Sequence, residues 1–200
     1  MEKVVLEIRY NPPIDFSRAL SKPAWNATVA NCLKLHRVRR EVSYLALDGA
    51  RQLCLFVGAD AESVRIAVRS LGYKSVTIWP ATLQGPVPPA AEAPSAIPNE
   101  VVVVERTFEA EQAFADLQSL EDRASDCLQL HKVAFLHSIF ARDRKRMVCI
   151  YAATDAETVR RVQRQVGMSY ETVWSASTFL QTAEEVALGP LEGYDSRPQA

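Results

Sequence analysis

The chain has 200 residues, 48% of them hydrophobic and 24% charged, with a net charge of −1 and a pI near 6.3. That is an ordinary globular balance: it gives no global field toward nucleic acid or a membrane surface, and no stretch approaches the ~20 apolar residues of a membrane span. The start, MEKVVLEIRY, carries only a short apolar run broken by charge, and it reads as folded protein rather than as a signal peptide.

In chain order, KVVLEIRY is a β-rich run with Glu7 and Arg9 interleaved, followed by a loop with Pro12 and Pro13. A helix is expected to about Leu35, with Ser21 as N-cap and Pro23 in its first turn. VRREVSYLAL and RQLCLFVG form a hairpin around Asp48-Gly49. Asp60 caps the helix AESVRIAVRSLG, which places Val64, Ala67, Val68 and Leu71 on its dry face and ends on Gly72. SVTIWPA is the fourth strand. The segment 84–100 holds five prolines in seventeen residues and reads as a stiff, extended linker. The plan then recurs: EVVVVERTF as strand, 109–129 as helix, VAFLHSIFA and RMVCIYAA as a hairpin turned at Arg142–Lys145, a helix from Asp155 to Gly167, and YETVWSA as the last strand. From residue 182 an acidic tail follows.

The recurrence is literal. Residues 32–81 align without a gap to residues 127–176, with 20 identities in 50 positions. These include Cys32/Cys127, His36/His131, Cys54/Cys149, Asp60/Asp155 and Trp79/Trp174. The order β-α-β-β-α-β in each copy predicts two tandem ferredoxin-like α+β domains, 1–83 and 101–181. A one-sided sheet leaves its other face bare, so the two sheets are expected to pack face to face as a pseudo-dimeric α/β barrel, within one chain or between chains. Each copy also serves as a control for the other: a shared residue reads as a fold residue, and a reactive group in one copy alone reads as a candidate for function.

Charge is uneven between the copies. Residues 1–83 carry a net +5 and residues 101–180 a net −1. The four cysteines form two repeat-equivalent pairs with no CxxC spacing, as expected of buried, reduced thiols in a cytoplasmic protein.

The second copy resembles a bacterial domain family of unknown function whose members include small nickel-binding proteins with a ferredoxin-like fold. The resemblance rests on Val104-Glu105-Arg106 after the first strand, on Val133, Phe135 and the His137-Ser138 pair, and on the D-A-E helix, glycine and Val173-Trp174 that close the copy. It covers about residues 101–178; copy 1 resembles the family more weakly, with Val42 in place of the histidine. The resemblance implies metal-site material at His137 and Glu105, with metal held between subunits in relatives that bind it.

From the residues themselves, His137 is placed on strand two with Phe135 and Ile139 on the same face. Its imidazole is a ligand for nickel, copper or zinc, against the plainer reading of a hydrogen-bonded core histidine. His36 and His131, shared by both copies, read as caps of terminal helix carbonyls. Arg142, Arg144, Lys145 and Arg146 form a basic hairpin tip, and Arg37, Arg39 and Arg40 precede the matching hairpin; each set offers a grip for a phosphate or an acidic partner, or is solvated. Trp79 and Trp174 read as packing residues. GxSxG, P-loop, GxGxxG and HExxH motifs are absent. The sequence therefore points to a non-enzymatic binding protein that holds nickel, another divalent transition metal or a small ligand. The alternatives are a module that docks on a larger assembly or on its own copies, and then a dimeric-barrel enzyme.

Overall fold

The computed structural model describes residues 1–15, 32–70, 76–85 and 100–180. The first helix before Cys32, with Ser21 and Pro23, the Gly72 cap, the linker over 86–99 and the acidic tail lie outside the described residues. Among the described residues the fold is α+β with eight strands, and the ladders within each unit are antiparallel. The chain divides into two compact units, with the change falling inside a strand, after Pro80.

The first unit contains β1 (Glu2–Arg9), β2 (Arg39–Ala46), β3 (Arg51–Gly58), α1 (Ala61–Ser70) and the start of β4 (Val76–Gln84). A helical turn at 32–35 leads into β2. Strand β3 lies between β1 and β2, with Val5 opposite Leu55 and Tyr44 opposite Leu53. Alternation sends Val4, Leu6, Ile8, Cys54 and Phe56 to the helix side, where they pack with Val64, Ala67 and Val68. The hairpin turn needs its glycine. Gly49 has φ +69°, and a Cβ there would meet the Ile14 carbonyl oxygen at 2.0 Å.

The second unit contains β5 (Glu100–Thr107), α2 (Phe114–Leu130), β6 (Ala134–Ala141), β7 (Arg146–Ala152), α3 (Ala156–Gln165) and, through Thr178, β8 (Thr172–Leu180). Its strands neighbour one another in the order β8-β5-β7-β6. The last residues of β4, Ala81–Gln84, belong to this unit and pair with β6. Val102, Val104, Cys149, Tyr151 and Val173 face the helices and pack against Leu117, Ala124, Leu128, Val159 and Val162.

The repeat extends to backbone detail. Arg37 and the equivalent Lys132 both have φ +54°; Gly49 and the equivalent Arg144 are both left-handed. Asp60 and Asp155 both cap their helices, accepting the N–H of Ser63 and Thr158 at 2.7 Å. One expected boundary moves. Helix α2 begins at Phe114 rather than at 109, because the N–H groups of Phe108 and Gln112 bond the carbonyls of Lys145 and Arg144. Those bonds hold 108–112 along the hairpin and keep its donors from starting a helix.

Candidate functional site

His137 is 1% exposed, on the face of the second sheet that points away from the helices. Burial lowers its pKa to about 4, so the ring is a neutral imidazole at neutral pH. Gly85 passes close over it: a Cβ at Gly85 would lie 3.2 Å from the His137 Cα. Phe135 is not on the face of His137, contrary to the alternation expected along this strand. The ladder shifts register between the two, Phe135 opposing Tyr151 and His137 opposing Ile150. One extra residue at Leu136 flips the parity, as bulges do. Phe135 therefore packs edge-on to Tyr151 under the helices, ring centroids 5.6 Å apart, while His137 shares its face with Ile139. The same shift occurs in β2, between Arg40 and Val42.

Glu105 lies on that same face but two strands away, with β7 between it and β6. Strand spacing makes that separation on the order of 10 Å. Its Oε1 accepts a hydrogen bond from the Trp174 indole N–H at 2.7 Å, on the side away from His137. Glu7 accepts the same bond from Trp79, also at 2.7 Å. A clasp present in both copies is a fold feature that ties the first strand of a copy to its last. His137 therefore presents one buried, neutral imidazole, and Glu105 is two strands away and bonded to Trp174. Among the described residues no group of three or more His, Cys, Asp or Glu side chains can hold a metal ion, so the donor set of a tight site is incomplete there.

The other candidates separate. At the hairpin tip Arg142, Arg144 and Lys145 are exposed, and Arg144 forms an ion pair with Glu111. Arg37 and Arg39 are exposed, but Arg40 is 3% exposed and leaves the expected basic patch; its Nη1 donates to Ser43 Oγ at 3.1 Å, and Ser43 Oγ donates to Cys54 Sγ at 3.0 Å. His131 caps its helix through its backbone N–H, which bonds the Cys127 carbonyl. Its ring Nε2 lies 2.9 Å from Gln165 Oε1 instead of on a terminal carbonyl. The His36 N–H makes the matching bond to the Cys32 carbonyl.

Sequence reasoning missed a buried polar cluster under the helices of the second unit. Arg106 from β5, Glu121 from α2, Tyr151 from β7 and Gln163 from α3 are all at most 6% exposed. Arg106 Nη2 donates to Gln163 Oε1 at 2.8 Å and lies 3.8 Å from Glu121 Oε1; Nη1 donates to the Ser169 carbonyl. The Tyr151 hydroxyl donates to Glu121 Oε1 at 2.6 Å and accepts from Gln163 Nε2 at 3.3 Å. Desolvation raises the Glu121 pKa against the opposing pull of the Tyr151 bond and Arg106. Burial also pushes the neighbouring Cys149 thiol up to about 11, and raises Cys54, so both stay protonated near neutral pH. Three of the four equivalent positions of copy 1 are apolar: Phe56 for Tyr151, Val68 for Gln163, and Ile8 for Arg106 by register, since Ile8 opposes Gln52 as Arg106 opposes Met147; at the same offset Glu121 falls on Asn26, outside the described residues. That substitution pattern is the signal in the sequence that would have found the cluster.

No curated protein sequence matches the chain significantly. Solved structures similar to it include a heme-binding protein from Thermus thermophilus, 11% identical over 89% of this chain and 91% of that one with a TM-score of 0.45, and an anthrone oxidase-like protein, 9% identical over 95% and 97% with a TM-score of 0.43. Residues 103–175, which span β5 to β8 and include His137, match the family model of the nickel responsive protein SCO4226-like family.

Proposed function

We propose that this chain is a non-enzymatic binding protein whose second copy is the ligand-holding half, taking up nickel or a related transition metal through His137. One observation carries the reading: the nickel-responsive family match falls on 103–175, the copy that has His137 where copy 1 has Val42. The low pKa of His137 supports it, because a metal need not displace a proton from the ring. We also propose that each copy is a ferredoxin-like domain; the element order of the second unit and its strand order β8-β5-β7-β6 support this. A docking role for Arg142, Arg144, Lys145 and Arg146 is the second reading. It is supported by the exposure of the first three and by the weakness of exposed ion pairs such as Arg144–Glu111, which an acidic partner can replace.

Calorimetric titration of the untagged protein with nickel tests the first reading. Uptake is expected in the wild type and in Glu105→Gln, and is lost in His137→Val, which installs the residue of copy 1. Equal uptake by wild type and His137→Val would remove His137 from the site.

A further inference from the structure

The C-terminal ends of α2 and α3 meet in the second unit and bring three side chains to one point. Cys127 and His131 stand four positions apart at the end of α2, so they project from one side of the helix, one turn above the other. Gln165 is the last residue of α3. The Cys127 thiol donates to Gln165 Oε1 at 3.4 Å, and His131 Nε2 lies 2.9 Å from the same oxygen. Cys127 and His131 are half-buried and Gln165 is exposed, so a solvent ion can reach all three. Copy 1 keeps the pair as Cys32 and His36 but has Ser70 in place of Gln165. There the Cys32 thiol donates to the Ala67 carbonyl at 3.7 Å, and Ser70 Oγ donates to the Ile66 carbonyl at 3.0 Å. The copy-1 thiol and hydroxyl are thus turned onto the backbone of α1. In copy 2 a thiol and an imidazole converge instead on a side-chain oxygen at the surface.

We propose that Cys127 Sγ, His131 Nε2 and Gln165 Oε1 form a surface site for a divalent ion of the zinc class, with water completing the coordination. A thiolate and an imidazole are the donors that zinc and its neighbours take, and a pair four residues apart on a helix is a spacing that binds it. The thiolate selects against magnesium and calcium, which take oxygen ligands. Binding releases the thiol proton to solvent and moves the ring proton to Nδ1, which leaves Nε2 free to ligate. The helix ends favour a cation as well. Both α2 and α3 point their carbonyl ends here, and those ends carry partial negative charge. Helix α2 has no basic residue in its last turn, and Arg164 of α3 is directed to Tyr170 and Glu157. The site is separate from His137, which lies on the sheet face away from the helices. Its third donor is an amide oxygen, so it is an open, exchangeable site rather than a closed structural one.

The test is a titration of the untagged, reduced full chain with cobalt(II), a spectroscopic stand-in for zinc. A saturable sulfur-to-cobalt charge-transfer band is expected in the near ultraviolet, and only a cobalt–thiolate bond produces it. His137→Val and Cys32→Ser should keep the band, and Cys127→Ser should lose it. His131→Gln should weaken cobalt binding by on the order of tenfold or more, since a lost ligand costs at least what a lost outer-shell partner does. A second measurement uses the wild-type chain alone. Zinc should slow alkylation of Cys127 by iodoacetamide, read by peptide mass spectrometry, while magnesium should not, and Cys32 should alkylate equally with and without zinc. The proposal is overturned by the absence of the band up to on the order of 1 mM cobalt, by a band that survives Cys127→Ser, by unchanged affinity in His131→Gln, or by magnesium protecting Cys127 as zinc does.

Discussion

Copy 1 packs Ile8, Phe56 and Val68 into the core on the α1 side of its sheet, while copy 2 places Arg106, Tyr151 and Gln163 at the equivalent positions. On the opposite sheet face copy 1 has Val42 where copy 2 has His137. The backbones around these differences agree closely. Both copies keep the bulge in their second strand, a left-handed residue before that strand, a left-handed hairpin residue, an aspartate N-cap and a glutamate–tryptophan clasp. One fold therefore tolerates either filling. The comparison teaches that the polar residues of copy 2 are additions to a working scaffold, and it makes copy 1 the natural template for removing them.

The largest expected effect comes from breaking the cluster by halves. Arg106→Ile alone leaves Glu121 buried without its cation and should cost about 3–5 kcal/mol in urea unfolding. The fourfold replacement that also removes Glu121, Tyr151 and Gln163 should recover all but roughly 1–2 kcal/mol, because it reproduces an apolar filling. Equal losses for the single and fourfold variants would break the comparison.

The next effect concerns pH. His137 has a folded pKa of about 4 against an ordinary 6.5, so the unfolded chain binds the extra proton between those values. Stability contributed by the neutral ring is complete above pH 6.5 and is lost as pH falls toward 4, by about 3 kcal/mol. In His137→Val this part of the acid loss should vanish, and the remaining profile should be that of the other groups. An unchanged profile would mean that the ring is charged or solvated in the folded protein.

The smallest effect sharpens the comparison from the shared side. Asp60→Ala and Asp155→Ala each remove one cap bond of the same length. Each should lower Tm by roughly 2–4 °C, and by equal amounts. Unequal drops would show that the two caps are not equivalent despite the repeat.

Much of this was legible in the sequence. The repeat, the element types, the Asp-Gly turn and the Asp155 cap follow from local pattern, which short-range sterics and hydrogen bonding dictate. The face of Phe135 was not legible, because a bulge adds one residue and no residue type announces it. The role of Glu105 was missed for a related reason: its partner Trp174 lies 69 positions away. The Arg106 cluster gathers residues from two strands and two helices, so only tertiary packing brings it together. The pairing of β4 with β6 likewise depends on a long-range ladder that period-two alternation cannot assign.

The most direct measurement is native mass spectrometry of the untagged protein with and without added nickel. The account predicts that the wild-type chain gains a bound nickel ion and that His137→Val, folded by circular dichroism, gains none. A wild-type chain that stays metal-free in excess nickel, or a His137→Val chain that binds as the wild type does, would contradict it.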